Sequence, residues 1–229
     1  MEKFNKLAYT RRPQIVWADF VTVCACAISN TTDSKNYEVR EKRYMDTIKN
    51  YSHDEITVFA ELLAITTAAL EDEPEQDFLG TLFEQRLNMG NFRNGQFFTP
   101  YPIAKFMAST QIADAPEIVR KDGYVSVNDC ACGAGVLLIA YANALKEKGI
   151  SCSDEAFFVA QDIDSVLAMT CYIQLSLLGC SGYVAAGNSL TDPKPSDENL
   201  WHMPMSFRFA FKRKNREETT GSEEEYENV

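Results

Sequence analysis

The order strand, turn, helix occurs twice along the middle of the chain, and a third strand follows. VSVND (125–129) is a short β-type run that ends at a glycine-rich turn, and residues 135–149 continue as a helix. FFVAQDID (157–164) is a second strand followed by the helix 165–179, and residues 183–189 form the third strand. Strands that alternate with helices in this way build a parallel sheet with right-handed crossovers. The pattern therefore predicts an α/β fold.

Other segments supply helices and one further strand around this sheet. Apolar residues recur at helical spacing before residue 90, which predicts a helical N-terminal region over residues 1–90. The helical segments expected there are 13–29, 34–52, 54–72 and 75–88. MSFRFAFK (205–212) alternates apolar and polar residues and predicts a fourth strand with one buried face. Residues 91–212 would then form the sheet domain, and residues 213–229 an acidic, disordered tail.

The ends of the predicted strands carry the residues suited to a ligand. In open α/β sheets, ligands bind at the carboxyl ends of the strands. Gly133 and Gly135 allow a tight turn and a close approach of the backbone, and Asp129 beside them can accept hydrogen bonds from an ammonium group. Asp162 ends the second strand, where nucleotide sites hold a ribose, although a solvated strand-end acid would look the same in sequence. Asp164 is expected to cap the helix that begins at Ser165.

A stretch rich in aromatic residues and proline, GQFFTPYPIAKFM (95–107), precedes these strands. Its prolines remove backbone donors and fix φ, so a core strand is excluded. Thr99 suits the N-cap of a following helix and Pro100 its first position. The stretch is either a rigid loop that covers a ligand or a turn with a hydrophobic staple.

Composition narrows the function classes. The formal net charge of −11 does not by itself attract nucleic acid. Seven cysteines, an odd number, do not form an obvious disulfide framework. The two C-x-C pairs lack zinc-finger spacing, so we expect small buried thiols and no metal. With no long apolar run and no apolar N-terminal segment, we expect a cytoplasmic protein.

Four motifs in the order GQFFTP, NDCACGAG, AQDID and GNSL resemble the adenine-N6 DNA methyltransferases. The closest likeness is to the modification subunit of type I restriction–modification systems, over roughly residues 75–190. The resemblance implies a Rossmann-like, S-adenosylmethionine-dependent methyltransferase fold with a truncated parallel sheet and an N-terminal helical layer. It also implies S-adenosylmethionine as cofactor and DNA as substrate.

The resemblance assigns cofactor roles to eleven residues. Five in the aromatic loop would close over S-adenosylmethionine: Gln96, Phe97, Phe98, Thr99 and Pro100. Four in the glycine turn would hold its methionine part: Asp129, Ala131, Gly133 and Gly135. Asp162 would accept from the ribose hydroxyls. Asn188 stands where the family usually has an aspartate that meets the adenine.

One element of the family is missing from its expected place after residue 190. The family's catalytic motif is [DNS]-P-P-[YFW], whereas this sequence has only Asp192-Pro193 and Met203-Pro204 there. No catalytic residue can be assigned, and the short sheet is expected to leave an open edge for a partner chain or a second copy. Two function classes therefore stay open: a DNA adenine methyltransferase completed by a partner, or a non-catalytic binding or regulatory protein.

Overall fold

A computed structural model describes residues 2–9, 11–86, 99–193 and 195–214. Its N-terminal part is helical, as predicted. The helices are α1 (Glu2–Leu7), α2 (Pro13–Ser29), α3 (Tyr37–Ile48), α4 (His53–Asp72) and α5 (Phe78–Thr81), followed by a π-helical turn at Leu82–Arg86. A capping box starts α4, because the Ser52 side chain accepts from the Glu55 backbone and the Glu55 side chain accepts in return from the Ser52 backbone.

The remaining elements alternate helices and strands. In chain order they are α6 (Tyr101–Gln111), α7 (Ala115–Asp122), β1 (Val125–Asp129), α8 (Val136–Glu147), β2 (Ala156–Asp162), α9 (Ser165–Leu177), β3 (Gly182–Ala186), a 3₁₀ turn (Asp197–Asn199), β4 (Leu200–His202) and α10 (205–214). The predicted strands at 125–129, 157–164 and 183–189 are confirmed, with ends that differ by up to three residues. The predicted helices that follow the first two strands are confirmed as well.

The sheet has the strand order β1-β2-β3-β4, with the first three strands parallel and β4 antiparallel to β3. One face is largely buried, with Val127, Phe158 and Val184 among its residues. Helices α8 and α9 pack against the sheet. Helix α2 packs on α9 in turn, so the N-terminal helices and the sheet share one hydrophobic core. Within the described residues, β1 pairs only with β2 and forms one edge of the sheet.

The predicted strand at 205–211 is wrong, because these residues belong to helix α10. Phe209 is buried against the rings of Tyr124 and Phe157, whereas Phe207 and Phe211 are 45% and 67% exposed. The Ser206 hydroxyl bonds to both the N–H and the C=O of Gly182, at 2.7 and 2.6 Å. The alternation of phenylalanines in the sequence thus does not correspond to alternating burial.

The start of α6 also differs from the prediction by one residue. Pro100 occupies the N-cap position, and the side chain of Thr99 does not cap the helix. Pro102, and not Pro100, lies in the first turn, where its missing N–H leaves no hydrogen bond unmade. Among the described residues, no helix combines the length and the apolar character that a membrane span requires.

Candidate functional site

The glycine-rich turn joins β1 to α8 at the carboxyl end of the sheet. Gly133 and Gly135 have φ angles of +55° and +101°, a region that favours glycine. A Cβ on Gly135 would lie 2.8 Å from the Cys171 sulfur, whereas a Cβ on Gly133 would meet no atom within 4 Å. Both glycines are therefore needed for the backbone path, and Gly135 is also needed for packing against α9.

Three hydrogen bonds, two from the end of β2 and one from α9, hold this turn in place. The Gly133 N–H donates to Asp162 Oδ2 at 2.8 Å, and the Cys132 N–H donates to the carbonyl of Gln161 at 3.0 Å. Gln174 Nε2, on α9, donates to the carbonyl of Ala134 at 3.0 Å. These bonds fix the glycine turn relative to the end of β2.

Sequence reasoning missed Gln174. Its side chain is fully buried and also contacts α5, where Nε2 donates to Asp77 Oδ1 at 2.8 Å and Oε1 accepts from the Leu79 N–H at 3.0 Å. The available signal was a long amide side chain in the middle of an otherwise apolar helix, since buried amides occur where their hydrogen bonds are satisfied. Gln174 thus connects the N-terminal helices to the glycine turn.

Asp129 has one carboxylate oxygen that is bonded and one that is not. Its Oδ1 accepts from the Ala131 N–H at 3.1 Å, and its buried Oδ2 has no hydrogen-bond partner among the described residues. Burial, and secondarily the negative charge of Asp162, raises the pKa of Asp129 above its ordinary value. An unsatisfied buried carboxylate oxygen costs free energy, which a cationic donor would recover.

Asp162 accepts two hydrogen bonds from the backbone and can still accept others. Its Oδ1 accepts from the Asp164 N–H and its Oδ2 from the Gly133 N–H, both at 2.8 Å. A carboxylate has about four acceptor sites, so two remain for other donors. The predicted cap is confirmed, because Asp164 Oδ1 accepts from the N–H groups of Val166 and Leu167 at the start of α9.

Ile163 is a second residue that sequence reasoning missed. It lies between Asp162 and Asp164, and its side chain is 73% exposed. An exposed isoleucine directly after a strand-end acid offers an apolar surface next to a hydroxyl acceptor. The signal in the sequence was that this apolar residue stands between two acids, Asp162 and Asp164, at the end of β2.

The turn after β3 is held by one bond within the turn and by two bonds to β2. Asn188 Oδ1 accepts from the Leu190 N–H at 2.9 Å. Two further bonds tie this turn to β2: the Gly187 N–H donates to the carbonyl of Asp162 and Gln161 Nε2 donates to the carbonyl of Asp192, both at 2.9 Å. The structure therefore brings Asn188 next to the other strand ends, but uses its side-chain oxygen within the turn.

A cavity of about 210 Å³ opens beside Asp129, between β1, α6 and α8. Helix α6 approaches α8 closely through Ala104 and Ala108, which pack against Val136 and Ala140. Thr99 and Pro100 precede α6 and are half-buried and exposed, respectively. The other aromatic-loop residues with predicted roles, Gln96, Phe97 and Phe98, lie outside the described residues.

The cysteines show no metal site in the part of the chain that the structure describes. No group of three or more potential ligands comes together there. Six of the seven cysteines are buried, as expected, and Cys130 in the glycine turn is exposed instead.

An open, mostly parallel sheet with an N-terminal helical layer, a glycine turn after β1 and an acid after β2 defines a truncated Rossmann-like methyltransferase fold. The sequence model of the N-6 DNA Methylase family matches residues 74–227, which is most of the chain. The chain therefore belongs to the N-6 DNA methylase family. No curated protein and no solved structure gives a significant match.

Proposed function

We propose that this chain binds S-adenosylmethionine at the carboxyl end of its sheet. The observation that carries the proposal is that Asp129 lines a cavity and that its buried Oδ2 has no partner in the described residues. A methionine moiety presents an α-ammonium group, which is the donor that this oxygen lacks. The acid and the ammonium would neutralise one another in a partly buried site, where the pairing is stronger than in water.

The other residues of the site fit the rest of the cofactor. The turn at Gly133 leaves open space where a side chain would otherwise stand, so a ligand can approach the backbone. Asp162 has the acceptor capacity for two ribose hydroxyls, and exposed Ile163 offers an apolar surface for the adenine ring. Thr99 and Pro100, with the aromatic residues before them, would cover the cofactor from the side of α6. When bound, S-adenosylmethionine supplies an electrophilic methyl group.

We further propose that the acceptor is the N6 amino group of adenine in DNA and that a partner chain completes the enzyme. The family acts on DNA, but the sequence contains no Pro-Pro dipeptide to form the family's catalytic motif. The net charge of −11 is also unsuited to holding a duplex while a base is flipped out. A second chain in the cytoplasm would supply the catalytic loop and the DNA contacts, as expected for a relative of type I modification subunits.

The edge strand β1 supports this partner hypothesis. It runs directly into Asp129 and the glycine turn, and within the described residues only β2 pairs with it. Its outward residues Ser126 and Asn128 are exposed. A chain added at this edge would reach the site without displacing any described element of the sheet.

A non-catalytic binding or regulatory protein is the second candidate function. The missing Pro-Pro dipeptide and the net charge of −11 favour it for the chain by itself. In that case, the cofactor site would be retained without methyl transfer. Both candidates share cofactor binding and differ only in chemistry.

Calorimetric titration with S-adenosylmethionine and S-adenosylhomocysteine tests the shared step. We expect saturable heat with both ligands and a higher melting temperature in their presence. The absence of heat and of any thermal shift at millimolar ligand would remove the proposal.

Methyl transfer separates the two candidates. The purified chain is incubated at low salt with tritiated donor and mixed-sequence DNA, alone and with candidate partner chains. We expect little or no label in adenine from the chain alone and robust label with the correct partner, because donor binding accelerates transfer only when the acceptor nitrogen is held in line. Robust label from the chain alone would contradict the need for a partner.

A further inference from the structure

The N-terminal helices enclose a cavity that is separate from the cofactor site. Its volume is about 260 Å³, and α1, α2, α4, α5 and the π-helical turn contribute to its wall. Most of the wall is apolar, with aromatic and aliphatic side chains: Phe4, Trp17, Phe20, Leu62, Ile65, Phe78, Leu79 and Leu82. Small-molecule sites combine such walls with a few polar groups.

The polar group of this cavity that lacks a partner is the indole of Trp17. The side chain is 97% buried, since only 3% of its surface is exposed, and its Nε1–H has no acceptor in the described residues. A buried indole N–H normally finds a hydrogen-bond partner. Leaving it without one costs free energy, and an acceptor that entered the cavity would recover that cost.

Water is a poor occupant for this position. A buried water needs two to four polar partners. Thr66, the other buried polar residue of the wall, already donates its hydroxyl hydrogen to the carbonyl of Leu62 at 2.9 Å. Glu2 and Lys3 are exposed at the α1 side, and Lys3 is paired with Glu61 at 2.7 Å. Among the buried side chains of the wall, Trp17 is therefore the one in the described residues that keeps an unused donor, in an apolar environment.

The local backbone is a second, independent sign of a site. Leu82 belongs to the π-helical turn Leu82–Arg86, and such turns occur frequently at functional sites. Ile65 on α4, another residue of the wall, is 48% exposed although it is apolar. An opening lined by an exposed isoleucine gives an apolar molecule a route into the interior.

We propose that this cavity is a binding site for a neutral, mainly apolar small molecule that carries one hydrogen-bond acceptor, such as an aryl ketone, and that the acceptor bonds to Trp17 Nε1–H. The apolar body of the ligand packs against the phenylalanines and leucines of the wall. Its single acceptor satisfies the single unused donor.

Two probes of nearly equal shape test the proposal. 2-Acetylnaphthalene carries a carbonyl oxygen, and 2-isopropenylnaphthalene has a CH₂ group in its place. The chain contains two tryptophans, so a ¹H–¹⁵N spectrum shows two indole signals, of which Trp201 is an internal control. We expect the ketone to move the Trp17 indole proton downfield in a saturable manner and to bind about tenfold more tightly than the hydrocarbon analogue, the factor that a hydrogen bond of ~1.4 kcal/mol produces.

Two variants localise the binding. Trp17→Phe removes the donor but keeps an aromatic ring, and it should assign the indole signal and make the two probes bind equally. Leu62→Phe fills part of the cavity from α4, where Leu62 is half-buried, and it should weaken both probes while the melting temperature reports on folding. If Trp17→Phe fails to fold, Leu62→Phe and the wild-type probe comparison still decide the outcome.

Three results would overturn the proposal. The first is a Trp17 signal that stays unchanged up to the solubility limit of the ketone. The second is equal affinity of wild-type protein for the two probes. The third is saturable binding that a folded Leu62→Phe variant leaves unaffected, since the site would then lie elsewhere.

Discussion

The turns after β1 and after β3 lie at the same end of the sheet and are held in similar ways, but their first residues differ in what they leave unused. In each turn the first side chain accepts from the N–H two residues on, at Asp129 Oδ1 and at Asn188 Oδ1. Each turn is also tied by hydrogen bonds to the end of β2. Asp129 has a second carboxylate oxygen, Oδ2, that is buried without a partner in the described residues, whereas Asn188 carries an amide nitrogen in its place. The difference teaches that a carboxylate at a strand end can close its own turn and still offer an acceptor to a ligand.

The largest effect is expected for Gly135→Ala, which tests how rigidly the turn after β1 is held. Gly135→Ala places a side chain in a left-handed conformation and 2.8 Å from the Cys171 sulfur. We expect the free energy of unfolding to fall by roughly 2–4 kcal/mol, the sum of backbone strain and overpacking, as measured by urea denaturation. Gly133→Ala is the matched control, and it should cost only about 1–2 kcal/mol because its Cβ meets no neighbour. Equal losses in the two variants would show that Cys171 does not constrain the turn.

Asp162→Ala tests whether the acid that fixes this turn also binds the ligand. We expect S-adenosylmethionine binding to weaken by about 1–3 kcal/mol in calorimetry, because hydroxyl donors lose their acceptor and the Gly133 N–H loses its own. Asp164→Ala is the control, since it removes the α9 cap and should lower stability by about 0.5–2 kcal/mol without changing affinity. A similar loss of affinity in both variants would contradict a direct role of Asp162.

Asp129→Asn tests whether the unpartnered carboxylate oxygen of Asp129 destabilises the free protein and binds the cofactor. The pKa of Asp129 is raised above its ordinary value of 3.8, so the folded state binds a proton more readily than the unfolded state, and the ionised carboxylate disfavours folding. We expect the free variant to be more stable than the wild type at pH 7 by on the order of 1 kcal/mol, and to bind S-adenosylmethionine more weakly.

The pH dependence gives a sharper form of the same test. The stability difference between Asp129→Asn and the wild type should be absent below pH 3.8, grow as the pH rises from 3.8 to the raised pKa, and stay constant above it. Thermal unfolding over this pH range measures it. A variant that is less stable than the wild type at pH 7 would mean that the carboxylate is satisfied in the free protein.

The smallest expected effect concerns the turn after β3. Asn188→Ala removes the bond from the Leu190 N–H, and we expect a loss of about 0.5–1.5 kcal/mol in unfolding free energy. If the Asn188 side chain serves mainly the turn, cofactor affinity should change by less than about twofold, which is under ~0.5 kcal/mol. A loss comparable to that of Asp162→Ala would assign Asn188 to the cofactor, as the resemblance implies.

The sequence predicted most of the helices and the three parallel strands because their signals are local. Helix α2 was expected over 13–29 and is found at Pro13–Ser29. The Asp164 cap was expected for the same reason, since the residue and the N–H groups it accepts from are neighbours in the chain. The strand predicted at 205–211 failed because α10 depends on distant contacts, with Phe209 packed on Tyr124 and Phe157.

The sequence by itself determined the order of the three parallel strands and of the helices between them, the family and the residue types at the strand ends, because periodicity and motif spacing are properties of adjacent residues. Only the tertiary structure decided which of those residues are already used. It left Asp129 Oδ2 without a partner, assigned Asn188 Oδ1 to a turn and placed Gln174 between α5 and the glycine turn. The physical reason is that hydrogen-bond satisfaction depends on which groups from distant parts of the chain come within about 3 Å of each other.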